Sequence, residues 1–308
     1  MVGSLLEDGL ARNMNESPGV SEKIMKKILV ADDDRETRHL LSGILETAGF
    51  EVATVEDGDS ALTRLLSEEF DLLLTGVWMA GMNGLELLAR LKDEPKRPRT
   101  VVMTSENTPE VMMQAVRQQA YRYLHKPIDP NTVVELIKEA LSAKPTSSPI
   151  EVVSAVPHWI ELLVPCELQA VSEIAGFMSQ LKSGLSDKER EHVGFAFREL
   201  LTNAIEWGGK LDPNQKVRIA CLKTPHMLLY RIEDPGTGFR FEDLSHAAIG
   251  NPEDDPFRHG EIRQEKGMRP GGFGIVMVRD LVDELLYNEV HNEVVLIKYL
   301  NPPAEKKS

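Results

Sequence analysis

Three short segments in the second half of the chain hold residue types that can bind a phosphorylated ligand and move a proton. In FRELLTNAIEWGG, residues 197–209, Glu199 precedes Asn203 by four positions. On a helix that spacing sets a carboxylate and a carboxamide one turn apart on one face, a pair suited to holding a metal ion and accepting a proton. His192 and Glu206 extend the same stripe. In RIEDPGTGF, Asp234 can accept a hydrogen bond from an exocyclic amine such as that of adenine, while Gly236 and Gly238 allow a tight turn that a ligand can approach. In GGFGIVMVRDLVDEL, Gly272 and Gly274 lead into a helical run, where free N–H groups and the positive end of the helix dipole suit a phosphate. No Gly-Lys-Ser/Thr follows those glycines and no strand leads into them, so they form neither a Walker-type loop nor a dinucleotide fingerprint.

Each segment needs an element to hold it. Val193, Phe197, Leu200 and Ala204 recur at helical spacing, thickened by Ala196, Leu201 and Ile205, and predict a helix from Asp187 to Trp207 with that face in a core. Strands are expected over 159–164, 217–222, 228–233 and 294–300, with further helices over 167–181 and 275–282. Together these make an α+β sandwich, with helices on one face of a mixed sheet. Between the glycine segments, Phe239 to Pro270 is long, polar and rich in Pro, Asp and Gly, the composition of a structureless lid. Its Arg258, Arg263, Lys266 and Arg269 could reach terminal phosphates.

The first half has a different rhythm. Short apolar strands at 28–31, 52–55, 72–74, 101–103 and 123–124 alternate with helical runs at 35–47, 60–66, 85–91, 109–118 and 132–141. That alternation predicts an α/β domain, a doubly wound parallel sheet of five strand–helix units whose site lies at the C-terminal ends of the strands. Asp32, Asp33, Gly76, Thr104 and Lys126 stand at those ends.

Residues 26–143 resemble the receiver domain of response regulators, through the acidic pair Asp32 and Asp33, the loop GVWMAGMNG, Thr104-Ser105, Tyr123 and Lys126-Pro127. In that family an aspartate after the third strand takes a phosphoryl group from a histidine kinase while the acidic pair holds magnesium. Here Gly76 stands at the acceptor position. Asp71 begins the same strand, about 17 Å away at ~3.3 Å per residue, and Thr75 points to the opposite face. The resemblance therefore implies a pseudo-receiver. Its Asp32, Asp33, Thr104 and Lys126 either form a structural ion and hydrogen-bond network or hold a divalent ion weakly.

Residues 153–301 resemble the GHKL superfamily with its Bergerat-type ATP-binding fold. The matching boxes are E-x-x-x-N-A at Glu199, Asn203 and Ala204, D-x-G-x-G at Asp234, Gly236 and Gly238, and G-x-G at Gly272 and Gly274. The resemblance implies ATP and Mg2+ as ligands, with Asn203 on the metal, Asp234 and the glycines on the nucleotide, and Glu199 as catalytic base. Histidine kinases of the superfamily carry an acceptor histidine on a separate helix. His192 lies on the nucleotide helix itself, followed by Val193 and Gly194, and reads as a solvated or core-edge residue. The second half is similar to anti-sigma-factor serine/threonine kinases of bacterial partner switching, with Trp207 where a histidine is common. That similarity implies a protein partner, either a sigma factor or a serine-bearing antagonist. Two other readings stay open: a non-catalytic nucleotide-gated binding module or scaffold, and a response regulator phosphorylated at an atypical position.

Composition sets the outer limits. With 308 residues and 42% hydrophobic content the chain is long enough for two domains. The expected division is a polar flexible tail over 1–25, the receiver-like domain over 26–143, a Pro- and Ser-rich linker over 144–152, the ATP-binding domain over 153–301 and a tail over 302–308. The linker is short enough for the first domain to pack on the second, or on another copy of the chain in a homodimer. A formal charge of −14 argues against sequence-independent binding to nucleic acid or to an anionic membrane. Cys166 and Cys221 are the only cysteines and have no metal-site spacing, and no apolar run is long enough for a bilayer, so a reducing cytoplasmic setting is expected.

Overall fold

The computed structural model describes residues 25–300 apart from 107, 145–147, 181–183, 246, 253 and 266–271. Both expected tails, apart from Met25, and part of the linker lie outside the described residues, as do Lys266, Arg269 and Gly271. In the first half, β1 (Lys27–Ala31), β2 (Glu51–Val55), β3 (Leu72–Gly76), β4 (Arg99–Thr104) and β5 (Arg122–His125) form one parallel sheet in the order β2-β1-β3-β4-β5. Strands β1, β3 and β4 are buried almost throughout, as a sheet covered on both faces requires. The covering helices are α1 (Arg35–Thr47), α2 (Gly58–Ser67), α3 (Gly84–Arg90), α4 (Pro109–Arg117) and α5 (Pro130–Ser142). Each starts where a side chain can take the orphan N–H groups of its first turn: Asp34, Asp57, Asn83, Thr108 and Asp129.

The second half is a six-stranded sheet with helices against one face. Its strands are β6 (Glu151–Val156), β7 (Trp159–Pro165), β8 (Lys216–Lys223), β9 (Met227–Glu233), β10 (Glu284–Tyr287) and β11 (Glu293–Tyr299), in the order β10-β11-β9-β8-β7-β6. The sheet is antiparallel at every neighbouring pair and not mixed as the sequence reading expects. Short returns join β6 to β7, β8 to β9 and β10 to β11, and hairpins of that kind allow only antiparallel neighbours. β6 and β10 are also additions. β6 starts inside the stretch read as linker, and the four residues of β10 are too few to show a period.

The covering layer holds α6 (Leu168–Gln180), α7 (Asp187–Asn203) and α9 (Gly274–Leu281), with α8 (Arg258–Glu265) further out. A capping box fixes the start of α7: Ser186 accepts the Glu189 N–H and Glu189 takes the Ser186 N–H. The predicted apolar face of α7 is buried from Val193 to Leu201, and the Phe197 ring lies 4.9 Å from that of Tyr230 on β9. Among the described residues no helix is long and apolar enough to cross a membrane.

The two halves pack on each other, α4 against β6 and β5 against α6. Gly176 on α6 lets the Arg122 side chain lie along that helix; a Cβ at 176 would come within 2.8 Å of Arg122 Nε. Arg122 pairs with Glu139 at 2.8 Å and its guanidinium covers the Tyr121 ring. Half-buried Glu173, one turn before Gly176, has its carboxyl pushed up to about 7, chiefly by burial, with Arg122 and Arg99 opposing and Glu167 adding. A carboxyl raised in the folded state keeps a proton that the unfolded chain has already released. Stability therefore falls as pH rises from the ordinary carboxylate range through about 7. Glu173→Gln is expected to match the wild type near pH 5 and to exceed it near pH 8 by on the order of 1 kcal/mol in urea titrations; equal values at pH 8 would count against this account.

Candidate functional site

The end of α7 is shaped for close approach. Glu199 and Asn203 sit one turn apart as predicted, but the α-helix stops at Asn203 and Ala204–Gly208 form a π-turn, where the sequence reading runs one helix to Trp207. The wider turn brings Gly208 against Asp234 and Gly209 against Cys166, and a Cβ on either glycine would overlap those side chains. Glu206 and Trp207 leave the helix on the cavity side. His192, predicted on the same stripe, does not line the cavity.

The loop after β9 is fastened from its far side. The Asp234 carboxylate accepts the Gly236 N–H at 2.8 Å, and the Asp234 N–H donates to the Asn292 carbonyl at 2.8 Å. Asn292 Nδ2 reaches the carbonyls of Asp234 and Gly236 at 3.4 and 3.3 Å. Gly238 has φ +82°, and a Cβ there would overlap the Val290 carbonyl, so this position requires glycine. His291, itself at φ +62°, binds the Phe239 carbonyl through Nδ1 at 2.8 Å. Burial raises the Asp234 carboxyl above its usual range against the Gly236 N–H, and Glu233 adds to the rise.

The third segment closes the other side. Gly272 has φ +102° and its carbonyl accepts the Ala248 N–H at 2.8 Å. Gly274 opens α9 directly over Glu199; a Cβ at 274 would overlap the Glu199 carboxylate. All seven residues predicted for this site line one cavity of about 930 Å³: Glu199, Asn203, Asp234, Gly236, Gly238, Gly272 and Gly274. The described lining also includes Glu206, Asp212 and Glu293 against Lys210 and Arg263, so carboxylates outnumber basic side chains among the described residues of the lining. Sequence reasoning missed Asn292, His291 and Tyr287, because a short hairpin loop carries no period. Their only signal is an Asn/His-rich turn ahead of an apolar run.

At the other end of the chain, the strand ends of the parallel sheet also meet. Both Asp32 oxygens accept Lys126 Nζ, at 2.8 and 2.7 Å, and Asp32 is fully buried. Gly76 lies beside them, where a Cβ would come within 2.8 Å of Asp32 Oδ2. Thr104 is buried and its hydroxyl accepts the Glu106 N–H at 3.0 Å; Asp33 is exposed. Thr75 is buried and donates to the Gly76 carbonyl at 3.2 Å.

Comparison with known proteins assigns both halves. The family model described as a response regulator receiver domain matches residues 28–138, and the two-component response regulator ORR11 of Oryza sativa is 34% identical over 117 residues, 80% of its own length and 37% of this chain. The chain belongs to the response-regulator receiver family. A histidine kinase-like ATPase domain follows at residues 164–298. The DNA-binding transcriptional regulator NtrC of Salmonella typhimurium is 35% identical over 115 residues, 37% of this chain but only 24% of its own length, so the chain spans about a quarter of that relative. Among solved structures, the chemotaxis response regulator CheY4 of Vibrio cholerae is similar at 29% identity and a TM-score of 0.36, covering 38% of this chain and 98% of its own. Receiver and ATPase domains in one chain make this a signal-transduction protein with an ATP-binding domain. In the receiver, Lys126 neutralises a carboxylate that has no access to water. Lys126→Met leaves that charge buried and unpaired and is expected to cost about 3–5 kcal/mol in urea unfolding; a loss below about 1 kcal/mol would show that Asp32 is hydrated.

Proposed function

We propose that the chain is an ATP-dependent protein serine/threonine kinase of the partner-switching type, governed by a receiver that does not take a phosphoryl group at position 76. The observation that carries this reading is the approach of Gly274 to Glu199. The first turn of α9, whose free N–H groups suit phosphate, lies against a carboxylate one helical turn from Asn203. Three features of the cavity support a nucleotide: close backbone approach at the glycines, an Asp234 carboxylate that could take the adenine amine, and an arginine, Arg263, on the lining.

Bound magnesium-ATP supplies the phosphoryl group. Asn203 would hold the metal and Arg263 the phosphates. Glu199 would take the proton of an attacking serine or threonine hydroxyl as the phosphoryl group passes to that oxygen and ADP leaves. The acceptor hydroxyl belongs to a serine-bearing antagonist protein, as the similarity to partner-switching kinases implies, and His192 stands outside the cavity. A cytoplasmic setting suits such a partner.

Calorimetric titration of magnesium-ATP is expected to show binding by the wild type and none by Asn203→Ala. Glu199→Ala is expected to bind ATP within about threefold of the wild type and to lose at least about 100-fold in phosphate transfer; loss of binding in that variant would overturn its assignment as base. Binding without turnover on any protein substrate would favour a nucleotide-gated binding module. Treatment with a small-molecule phosphodonor followed by mass mapping should leave residues 71–84 unmodified, and a phosphorylated residue there would restore a conventional receiver role.

A further inference from the structure

The described part of the segment between the glycine loops includes a helix, α8, although its composition predicts a structureless lid, and it holds a histidine, His259, that nucleotide binding as described does not use. His259 and Arg263, one turn apart on α8, are both buried, 2% and 8% exposed, on a helix with no apolar stripe to drive them inward. Arg263 lines the nucleotide cavity. His259 is gripped by Asn251. The Asn251 Oδ1 accepts the His259 backbone N–H at 2.9 Å, and its Nδ2 donates to the Pro256 carbonyl at 2.6 Å and lies 2.6 Å from His259 Nδ1.

Reversing that carboxamide would set N–H against N–H at His259 and carbonyl against carbonyl at Pro256. The backbone therefore decides its orientation, and with it the tautomer of the ring. His259 Nδ1 must accept, so the ring proton sits on Nε2. The ring meets Phe273 edge-on, centroids 4.4 Å apart at 89°. Phe273 stands between Gly272 and Gly274, and the bond from the Ala248 N–H to the Gly272 carbonyl ties the same lid to the same loop.

We propose that neutral His259 is a positioning residue of the nucleotide site: clamped by Asn251 and seated on Phe273, it holds α8 so that Arg263 lies in the cavity at the phosphate end of the nucleotide. The proposal rests on the ATP-binding reading above. A second proton on the ring would point Nδ1–H at the Asn251 amide and open the clamp. The groups recorded in contact with the ring, Asn251 and Phe273, are uncharged. The charged residues on the surrounding elements are Arg258, Glu261, Arg263 and Glu265 on α8, Asp254 and Asp255 ahead of it, and Arg279 and Asp280 on α9.

Asn251→Asp gives up the bond to the Pro256 carbonyl, a loss common to both pH values, and reverses the sign of the pH effect. A carboxylate oxygen facing Nδ1 accepts the added proton's bond, so acid tightens in the variant what it loosens in the wild type. The test is the affinity for magnesium-ATP of both proteins near pH 7.5 and near pH 5.5. The nucleotide's own titration is common to the two and cancels in their ratio. The ratio of wild-type to variant affinity is expected to fall on acidification by about fivefold, the equivalent of one hydrogen bond. Nitrogen-15 shifts of the histidine rings, recorded on the wild type without nucleotide, are expected to show a His259 Nδ1 that carries no proton. A protonated Nδ1 at pH 7.5, or equal pH slopes in two proteins that both bind, overturns the clamp alone. A wild type that binds no ATP at pH 7.5 overturns the ATP reading and the clamp with it. If Asn251→Asp fails to fold, the ring tautomer of the wild type decides.

Discussion

The close approach of three backbone segments around one cavity is the constraint on which the second domain depends. Gly208 presses on Asp234, Gly238 on the Val290 carbonyl and Gly274 on Glu199, and at each point a single added carbon would overlap its neighbour. The helix end, the turn after β9 and the start of α9 can meet only because those contacts are bare backbone. The π-turn at Ala204–Gly208 follows from the same demand, since it moves the chain sideways against Asp234 without breaking the run of hydrogen bonds along the helix.

The receiver depends on a different interaction. Asp32 is fully buried and Lys126 holds both of its oxygens, next to a glycine that contributes no side chain. An anion and a cation face each other at the ends of β1 and β5, and the Asp34 N–H gives Asp32 Oδ1 a further hydrogen bond at 3.1 Å. The domain meets its neighbour at the opposite end of β5, where Arg122 lies on Gly176 and Glu173 faces the arginines of β4 and β5. Helix α6, which receives that contact, packs in turn on α7, so the receiver and the helix carrying Glu199 and Asn203 share one continuous packed layer.

Much of this was legible in the sequence. The bounds of α1, Arg35 to Thr47, match the helical run read from the sequence and stopped by Gly49, and the buried face of α7 follows from the recurrence of Val193, Phe197 and Leu200. Glu199, Asn203, Asp234 and the glycines stand out together because the three boxes that hold them resemble those of the GHKL superfamily, and they line one cavity. Elements without a strong periodic run were not legible. β6 follows a Pro- and Ser-rich stretch, β10 has four residues, and α8 buries a histidine and an arginine, types that hydrophobic patterning counts as solvent-facing.

The sequence by itself determined the strands and helices that carry a strong period, and the residue types at their ends, because local periodicity and capping depend on neighbours along the chain. Only the tertiary structure decided which of those ends meet. The pairing of Lys126 with Asp32 across 94 positions, the hold of Asn292 on the Asp234 loop across 58 and the seating of His259 on Phe273 are contacts between segments that share no local pattern. Each depends on chain direction and on the space left by an absent side chain. Those are properties of packing, and a linear pattern does not encode them.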